Sequence, residues 1–98
     1  MVIKMVKANW KGAVIAESSN CEFIENNYYF PPSDVNKKYL KQSKTQSTCP
    51  WKGDAHYYDV IVNDEVNKDA AWYYPDPKPA AKKIKDYVAF WNGVEIET

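Results

Sequence analysis

Arginine is missing from this 98-residue sequence, whose thirteen basic residues are all lysine. Arginine supplies the rigid, two-pronged donor that proteins use to grip phosphates, whereas lysine is a point charge on a flexible stem. The acidic residues also number thirteen and are intermixed with the lysines, so the net charge is zero. No long-range field of one sign therefore attracts nucleic acid or an anionic membrane, and we expect neither as a partner.

Glycine and cysteine are scarce, with three and two residues. Three glycines do not suffice for the glycine-rich loop that cradles a nucleotide phosphate. Cys21 and Cys49 both lack a second cysteine at the two-residue spacing of zinc and redox motifs. We therefore expect two reduced thiols, no metal ion and no cofactor.

Long hydrophobic runs are absent too, since no apolar stretch approaches the roughly 18 residues of a membrane span. The first four residues, Met-Val-Ile-Lys, are strand-like and do not resemble a secretory signal. The length suits one domain over residues 1–98, with a single modest core. We expect a cytoplasmic domain that does not enter a membrane; its oligomeric state is not specified by the sequence.

What the sequence does contain is a series of short alternating segments typical of antiparallel strands. Asn-Asn and Asn-Gly pairs between them favour tight turns, and Asn92-Gly93 predicts a closing hairpin. The expected strands are Val2–Trp10, 13–16, Cys21–Glu25, Tyr28–Phe30, Asp54–Val62, Ala70–Tyr74, Tyr87–Trp91 and Val94–Glu97, with Asn26-Asn27 turning the third strand into the fourth.

One helix is expected among these strands. Ser33 and Asp34 form a good helix start, and apolar side chains at Val35, Tyr39 and Leu40 give one stripe over residues 34–43. Residues 43–53 then predict a loop, and Pro79 a short helical turn through Lys83. The sequence thus predicts an α+β, predominantly antiparallel fold with one short main helix.

Five blocks of sequence stand out by their order and spacing: Glu25; Tyr29-Phe30-Pro31 with Asp34-Val35; Thr48-Cys49-Pro50-Trp51-Lys52-Gly53 with Ala55 and Tyr57; Trp72–Pro77; and Tyr87–Phe90. Together they resemble the bacterial family known as domain of unknown function 427. The resemblance implies two antiparallel sheets leaning together in a β-tent, a fold similar to zinc-binding exchange factors and methionine sulfoxide reductases. The zinc-ligand cysteine pairs of those relatives are missing here. The family is sometimes labelled nucleotidyltransferase-like, but the sequence has no phosphate loop or clear pair of metal-binding carboxylates.

A candidate site follows from which residues share a face of a strand, because successive side chains in a strand point to opposite faces. Trp72 and Tyr74 share one face, and Tyr57 lies on a strand that begins just after Lys52. Glu25 lies two residues after Phe23 and so shares its face of the strand. If Phe23 is in the core, Glu25 also points inward, where its carboxylate needs a hydrogen-bond or charge partner. The leading hypothesis is an aromatic pocket between the sheets that binds a flat or cationic small molecule. Its candidate residues are Glu25, Tyr29, Trp51, Lys52, Tyr57, Trp72 and Tyr74.

Two alternatives remain open. Cys49 lies near Lys52 in sequence, which favours a thiolate, so the protein could be a small enzyme with Cys49 as nucleophile or Glu25 as acid/base. Cysteine is also among the most buried residue types, and Cys49 could simply pack beneath the sheets. Aromatic side chains on paired strands are often ordinary core residues. The third hypothesis is therefore a structural or interaction protein without a ligand site.

Overall fold

The computed structural model describes residues 4–98, in which nine short strands alternate with three 3₁₀ segments. The 3₁₀ segments are Pro32–Asp34, Lys37–Tyr39 and Pro79–Ile84. The strands are β1 (Val6–Trp10), β2 (Ala13–Ser18), β3 (Glu22–Ile24), β4 (Asn27–Tyr29), β5 (Leu40–Cys49), β6 (Gly53–Val62), β7 (Glu65–Tyr73), β8 (Val88–Phe90) and β9 (Glu95–Glu97). Positions 2 and 3 of the first predicted strand lie outside the described residues.

Every strand pairing is antiparallel, and the strands form three sheets instead of the two expected. Their orders are β2-β1-β9, β3-β4 and β5-β6-β7-β8. The β3-β4 hairpin is fastened to the edge of the largest sheet, because Phe30 and Val88 exchange backbone hydrogen bonds of 2.8 and 2.9 Å. The predominantly antiparallel class is confirmed, with 3₁₀ segments as its helical part.

The helix predicted over residues 34–43 is wrong. Val35 is extended and bridges to Ala16, and the backbone N–H of Asn36 donates to the carbonyl of Ile15. Two 3₁₀ segments, Pro32–Asp34 and Lys37–Tyr39, stand where the helix was predicted to begin. Strand β5 then begins at Leu40 and pairs along β6. The predicted loop over 43–53 is wrong for the same reason, since residues 43–49 form the polar, largely exposed end of this edge strand. Pairing with β6 overrides the local helical pattern, as tertiary context often does.

The hairpin predicted at the C-terminal end is also wrong. Asn92 and Gly93 do adopt the positive φ values of 52° and 92° that a tight turn requires. The flanking strands then separate, however: β8 pairs with β7, while β9 pairs with β1 in the other sheet. The turn therefore connects two sheets.

The β3-β4 turn is shifted by one residue from its predicted position. Glu25 and Asn26, with φ values of 52° and 66°, form the turn, and Asn27 begins β4. Phe23, whose burial would have turned Glu25 inward, is 58% exposed. Glu25 consequently lies at the tip of a hairpin, not on an inward-facing strand position.

Two clusters of buried side chains cover the two faces of the four-stranded sheet. Where β8 meets the chain just after β4, adjacent residues contribute to opposite clusters, in keeping with the period of two in a strand: Phe30 and Val88 belong to one, Tyr29 and Ala89 to the other. The first cluster fills the space towards β1 and β2, and the second is closed by Ala81 and Ile84 of the predicted Pro79 turn. None of the helical segments in residues 4–98 is both long and apolar enough to cross a bilayer.

Candidate ligand pocket

A pocket of about 150 Å³ opens on the second face of the four-stranded sheet. Tyr57 of β6 is paired directly with Trp72 of β7, so their side chains stand side by side. The walls come from this sheet and its flanking segments, and not from two opposed sheets as the sequence predicted. The lining residues are Lys52, Tyr57, Trp72, Tyr74 and Trp91.

Lys52 reaches the pocket from the short loop between β5 and β6, where Cys49 pairs with Gly53. Gly53 has a φ of +114°, and a Cβ there would lie 3.3 Å from the carbonyl oxygen of Asp76. The backbone of Lys78 donates to the carbonyl of Lys52 over 2.9 Å. Glycine therefore allows the Asp76–Lys78 segment to pack closely against this loop. From the loop, the Lys52 side chain extends to the pocket.

The Lys52 ammonium is surrounded by aromatic rings and is nearly buried, with 7% of the side chain exposed. Its Nζ lies 5.3 Å from the ring centroid of Trp51, 5.6 Å from that of Tyr74 and 5.8 Å from that of Tyr29. These distances are within the range of cation–π attraction, which compensates part of the cost of removing the charge from water.

Glu25 provides the counter-charge to Lys52. Lys52 Nζ donates to Glu25 Oε1, and Trp51 Nε1 donates to Glu25 Oε2 over 3.4 Å. The hydroxyl of Tyr29, which is fully buried, accepts from Lys52 Nζ at 3.3 Å and from Trp72 Nε1 at 3.4 Å. One hydrogen-bonded network therefore joins the hairpin tip to the pocket wall.

This network shifts the pKa values of its members. The hydrogen bond from Lys52, followed by that from Trp51, lowers the pKa of Glu25 below its ordinary value. Burial by itself would lower the pKa of Lys52, but the hydrogen bond to Glu25 and the neighbouring Tyr29 and Tyr74 raise it above its ordinary value. Burial raises the pKa of Tyr74 to about 12. At neutral pH the network therefore contains a carboxylate and an ammonium, and the Tyr74 phenol beside them is neutral.

The Glu25→Gln substitution should reveal this pairing through its pH dependence. The folded pKa of Glu25 lies below the unfolded value of about 4.3, so ionised Glu25 stabilises the fold above that pH and loses this effect as the pH falls. We expect the free energy of unfolding of the wild type to exceed that of Glu25→Gln most at neutral pH, and the difference to shrink in acid. Urea unfolding of both proteins over a pH series measures this difference.

The control for this experiment is Glu95→Gln, which removes an exposed carboxylate from β9. Its difference from the wild type should change less between neutral and acidic pH. A Glu25→Gln difference that stays constant as the pH falls would contradict the ion pair.

The structure places the other predicted residues near the pocket but not in its wall. Tyr29 lies behind Trp72 and supports it. Trp51 is 38% exposed and covers the outer side of the Lys52–Glu25 pair. Glu25 contacts Lys52, although 53% of its side chain is exposed and the condition for turning it inward, a buried Phe23, is not met.

The two cysteines are free thiols outside the pocket. Cys49 is half-buried and packs against the second core cluster, at the edge of the sheet. Cys21 lies on the other side of the molecule near Ser18 and Asp34, and burial raises its pKa to about 11. In the described part of the chain, no three His, Cys, Asp or Glu side chains converge as metal ligands would.

Trp91 is a wall residue that the sequence interpretation missed, because it was assigned only to a strand end. Its ring meets Trp72 edge-on, with centroids 5.7 Å apart. Its Nε1 donates to the backbone carbonyl of Asp69 over 2.6 Å. Asp69 is fixed in turn, since its carboxylate accepts from Ser43 and Thr45 across the sheet.

Two other clefts in the described residues are larger. One of about 460 Å³ lies between the turns at Gly12 and Gly93, and one of about 330 Å³ lies beside the stacked pair Tyr58 and Tyr73. The charged residues that line them are exposed or only partly buried. The small pocket differs because a buried cation and several aromatic walls converge there, which is typical of ligand sites.

A match to a protein family covers residues 2–98, and the family is described as "Domain of unknown function (DUF427)". The chain belongs to this family. The resemblance inferred from the five sequence blocks is therefore confirmed. No curated protein matches the chain. The DUF427 description specifies no reaction, so the chemistry must be argued from the pocket itself.

Proposed function

We propose that this DUF427 protein binds a small, flat organic molecule in the pocket formed by Lys52, Tyr57, Trp72, Tyr74 and Trp91. The observation that carries the proposal is the buried ammonium of Lys52 at the edge of an aromatic cavity. Burying a charge is costly, and a purely structural position would be filled more cheaply by an apolar side chain. A ligand with a hydrogen-bond acceptor makes use of that charge.

The volume of the pocket limits the ligand. About 150 Å³ is well below the range of roughly 300–1,000 Å³ that holds a drug-sized molecule. A single aromatic or heteroaromatic ring with one polar substituent suits this space. We further propose a cytoplasmic location, which suits the free thiols, and no nucleic-acid partner, which suits the balanced charges.

The enzyme alternative has less support. Cys49 is not among the residues that line the pocket, and the lowered pKa of Glu25 makes it a poor proton donor at neutral pH. Their catalytic roles stay predictions. The alternative of a structural protein without a ligand site is addressed by the binding experiment that follows.

A ligand screen by thermal shift tests the proposal. A molecule that binds only the folded state, at 100 times its Kd, raises the free energy of unfolding by about 2.7 kcal/mol. We expect single-ring acceptor compounds to raise Tm, and Trp91→Leu to abolish most of that rise because it removes a wall. The matched control is Trp10→Leu, which replaces a tryptophan in the other sheet and should preserve the rise. Equal losses in both variants would contradict binding in this pocket.

A further inference from the structure

The aromatic cluster beside the pocket is already occupied by a cation of the protein itself. The rings of Tyr29, Trp51 and Tyr74 all lie within 5.8 Å of Lys52 Nζ. A ligand ammonium would meet this charge at close range, and two like charges in a nearly buried site repel strongly. The cationic class of ligand that the sequence left open is therefore disfavoured.

The Lys52 ammonium can donate more than one hydrogen bond. An ammonium carries three N–H donors, and within the described residues Lys52 uses two of them, on Glu25 Oε1 and the Tyr29 hydroxyl. The acceptor from Glu25 is the more accessible of the two, because Tyr29 is fully buried whereas 53% of the Glu25 side chain is exposed. Glu25 is thus the partner that a ligand can replace.

Glu25 can leave Lys52 by a rotation of its own half-exposed side chain. It lies at the tip of the β3-β4 hairpin, whose strands have only three residues each. The hairpin is tied to the rest of the protein through Tyr29 and Phe30 at its far end, and Ile24 packs against the second core cluster. A change in side-chain rotamer at Glu25 releases Lys52 without disturbing those contacts, and the freed carboxylate is solvated by water.

Two donors grip the Glu25 carboxylate, one for each oxygen. Lys52 Nζ donates to Oε1, and Trp51 Nε1 donates to Oε2. When Glu25 leaves, both donors face the same space, and they match the two oxygens of another carboxylate. The edge of the pocket thus presents two donors that already hold one carboxylate, that of Glu25.

Resting on the proposed function, we propose that the ligand is an aromatic carboxylate that displaces Glu25 from Lys52. Its carboxylate accepts from Lys52 and Trp51, and its ring enters the pocket between Trp72, Tyr74 and Trp91. Glu25 competes with the ligand carboxylate for Lys52. It keeps the buried ammonium paired in the ligand-free protein, and it thereby lowers the apparent affinity for the ligand.

A carboxylate fits this pair of donors better than a phosphate does. The site offers one buried cation, no arginine and no run of backbone N–H donors from a helix N-terminus. Phosphate sites in proteins rely on such donors and on arginine forks to satisfy several oxygens. Replacing the monoanionic carboxylate of Glu25 by another keeps the charge of the network unchanged.

Four probes that share a phenyl ring test the proposal: benzoate, benzamide, phenyl phosphate and benzylamine. Their dissociation constants are measured at neutral pH from the indole N–H signals of Trp72 and Trp91 in NMR titrations. We expect benzoate to bind most tightly and benzylamine most weakly. A tighter complex with phenyl phosphate than with benzoate would overturn the carboxylate assignment.

The decisive variant removes the competitor. If Glu25 occupies Lys52 nine-tenths of the time, its removal lowers the benzoate dissociation constant about tenfold, because apparent affinity scales with the competent fraction. We expect this gain in Glu25→Gln and, if the amide still hydrogen-bonds to Lys52, a larger one in Glu25→Ala. Benzamide affinity should change less than benzoate affinity. Unchanged or weaker benzoate binding in both variants refutes the proposal.

Two control variants complete the design. Glu22→Gln removes a carboxylate from the same hairpin, where it pairs with Lys83 and not with Lys52, and should leave benzoate affinity unchanged. Lys52→Met should abolish the preference for benzoate over benzamide. If no probe moves either indole signal in any variant, the pocket itself fails as a ligand site; if benzamide binds but removal of Glu25 gives no gain for benzoate, only the displacement fails.

Discussion

Phe30→Ala is expected to lower the free energy of unfolding by about 3–5 kcal/mol, as truncating a buried phenylalanine usually does. Phe30 is completely buried, and its ring packs edge-on against Phe90 with centroids 5.6 Å apart. Its backbone also joins the β3-β4 hairpin to β8 through Val88. The substitution leaves a cavity at this junction and should weaken docking of the hairpin that carries Glu25. Chemical denaturation measures the loss.

Phe23→Ala is the matched control for this experiment. Phe23 lies on the same hairpin but is 58% exposed, with Tyr28 as its aromatic neighbour. Surface substitutions of this kind usually change stability by about 0.5 kcal/mol or less. A loss in Phe23→Ala comparable to that in Phe30→Ala would show that the hairpin buries its other face.

Lys52→Ala is expected to lower the free energy of unfolding by about 2–4 kcal/mol, because it removes a long buried stem from among aromatic rings. Lys52→Met keeps a chain of similar volume and should cost less than about 1.5 kcal/mol. Loss of the charge itself should be tolerated, since the abandoned Glu25 carboxylate is half exposed and remains solvated. Urea unfolding of the two variants separates packing from charge.

The ranking of these two Lys52 variants is informative in either order. If Lys52→Met is as stable as the wild type or more so, the ammonium is present at a cost to stability, as expected for a group retained for binding. If Lys52→Met is as unstable as Lys52→Ala, the ion pair with Glu25 is itself a main support of the fold, and its displacement by a ligand becomes unfavourable. The second outcome would argue against Glu25 as a displaceable competitor.

The pocket walls were largely predictable from local sequence, and its hydrogen-bonded edge was not. Alternation along β6 and β7 places Tyr57 beside Trp72 once the strands pair in register. The contact between Glu25 and Lys52 joins turns of two separate sheets. The sequence argument for an inward Glu25 depended on a buried Phe23, and Phe23 is exposed. Trp91 was missed because its place in the wall depends on the distant carbonyl of Asp69.

The sequence by itself determined the features that depend on neighbours along the chain. The alternation of side chains along the strands, the turn at Asn92-Gly93 and the Pro79 turn all follow from local chemistry. Only the tertiary structure decided that residues 40–49 form a strand, that β9 pairs with β1, and that a hairpin tip pairs with a buried lysine. The physical reason is that an edge strand or a buried charge gains its stability from partners far away in sequence, and local periodicity carries no information about which partner is present.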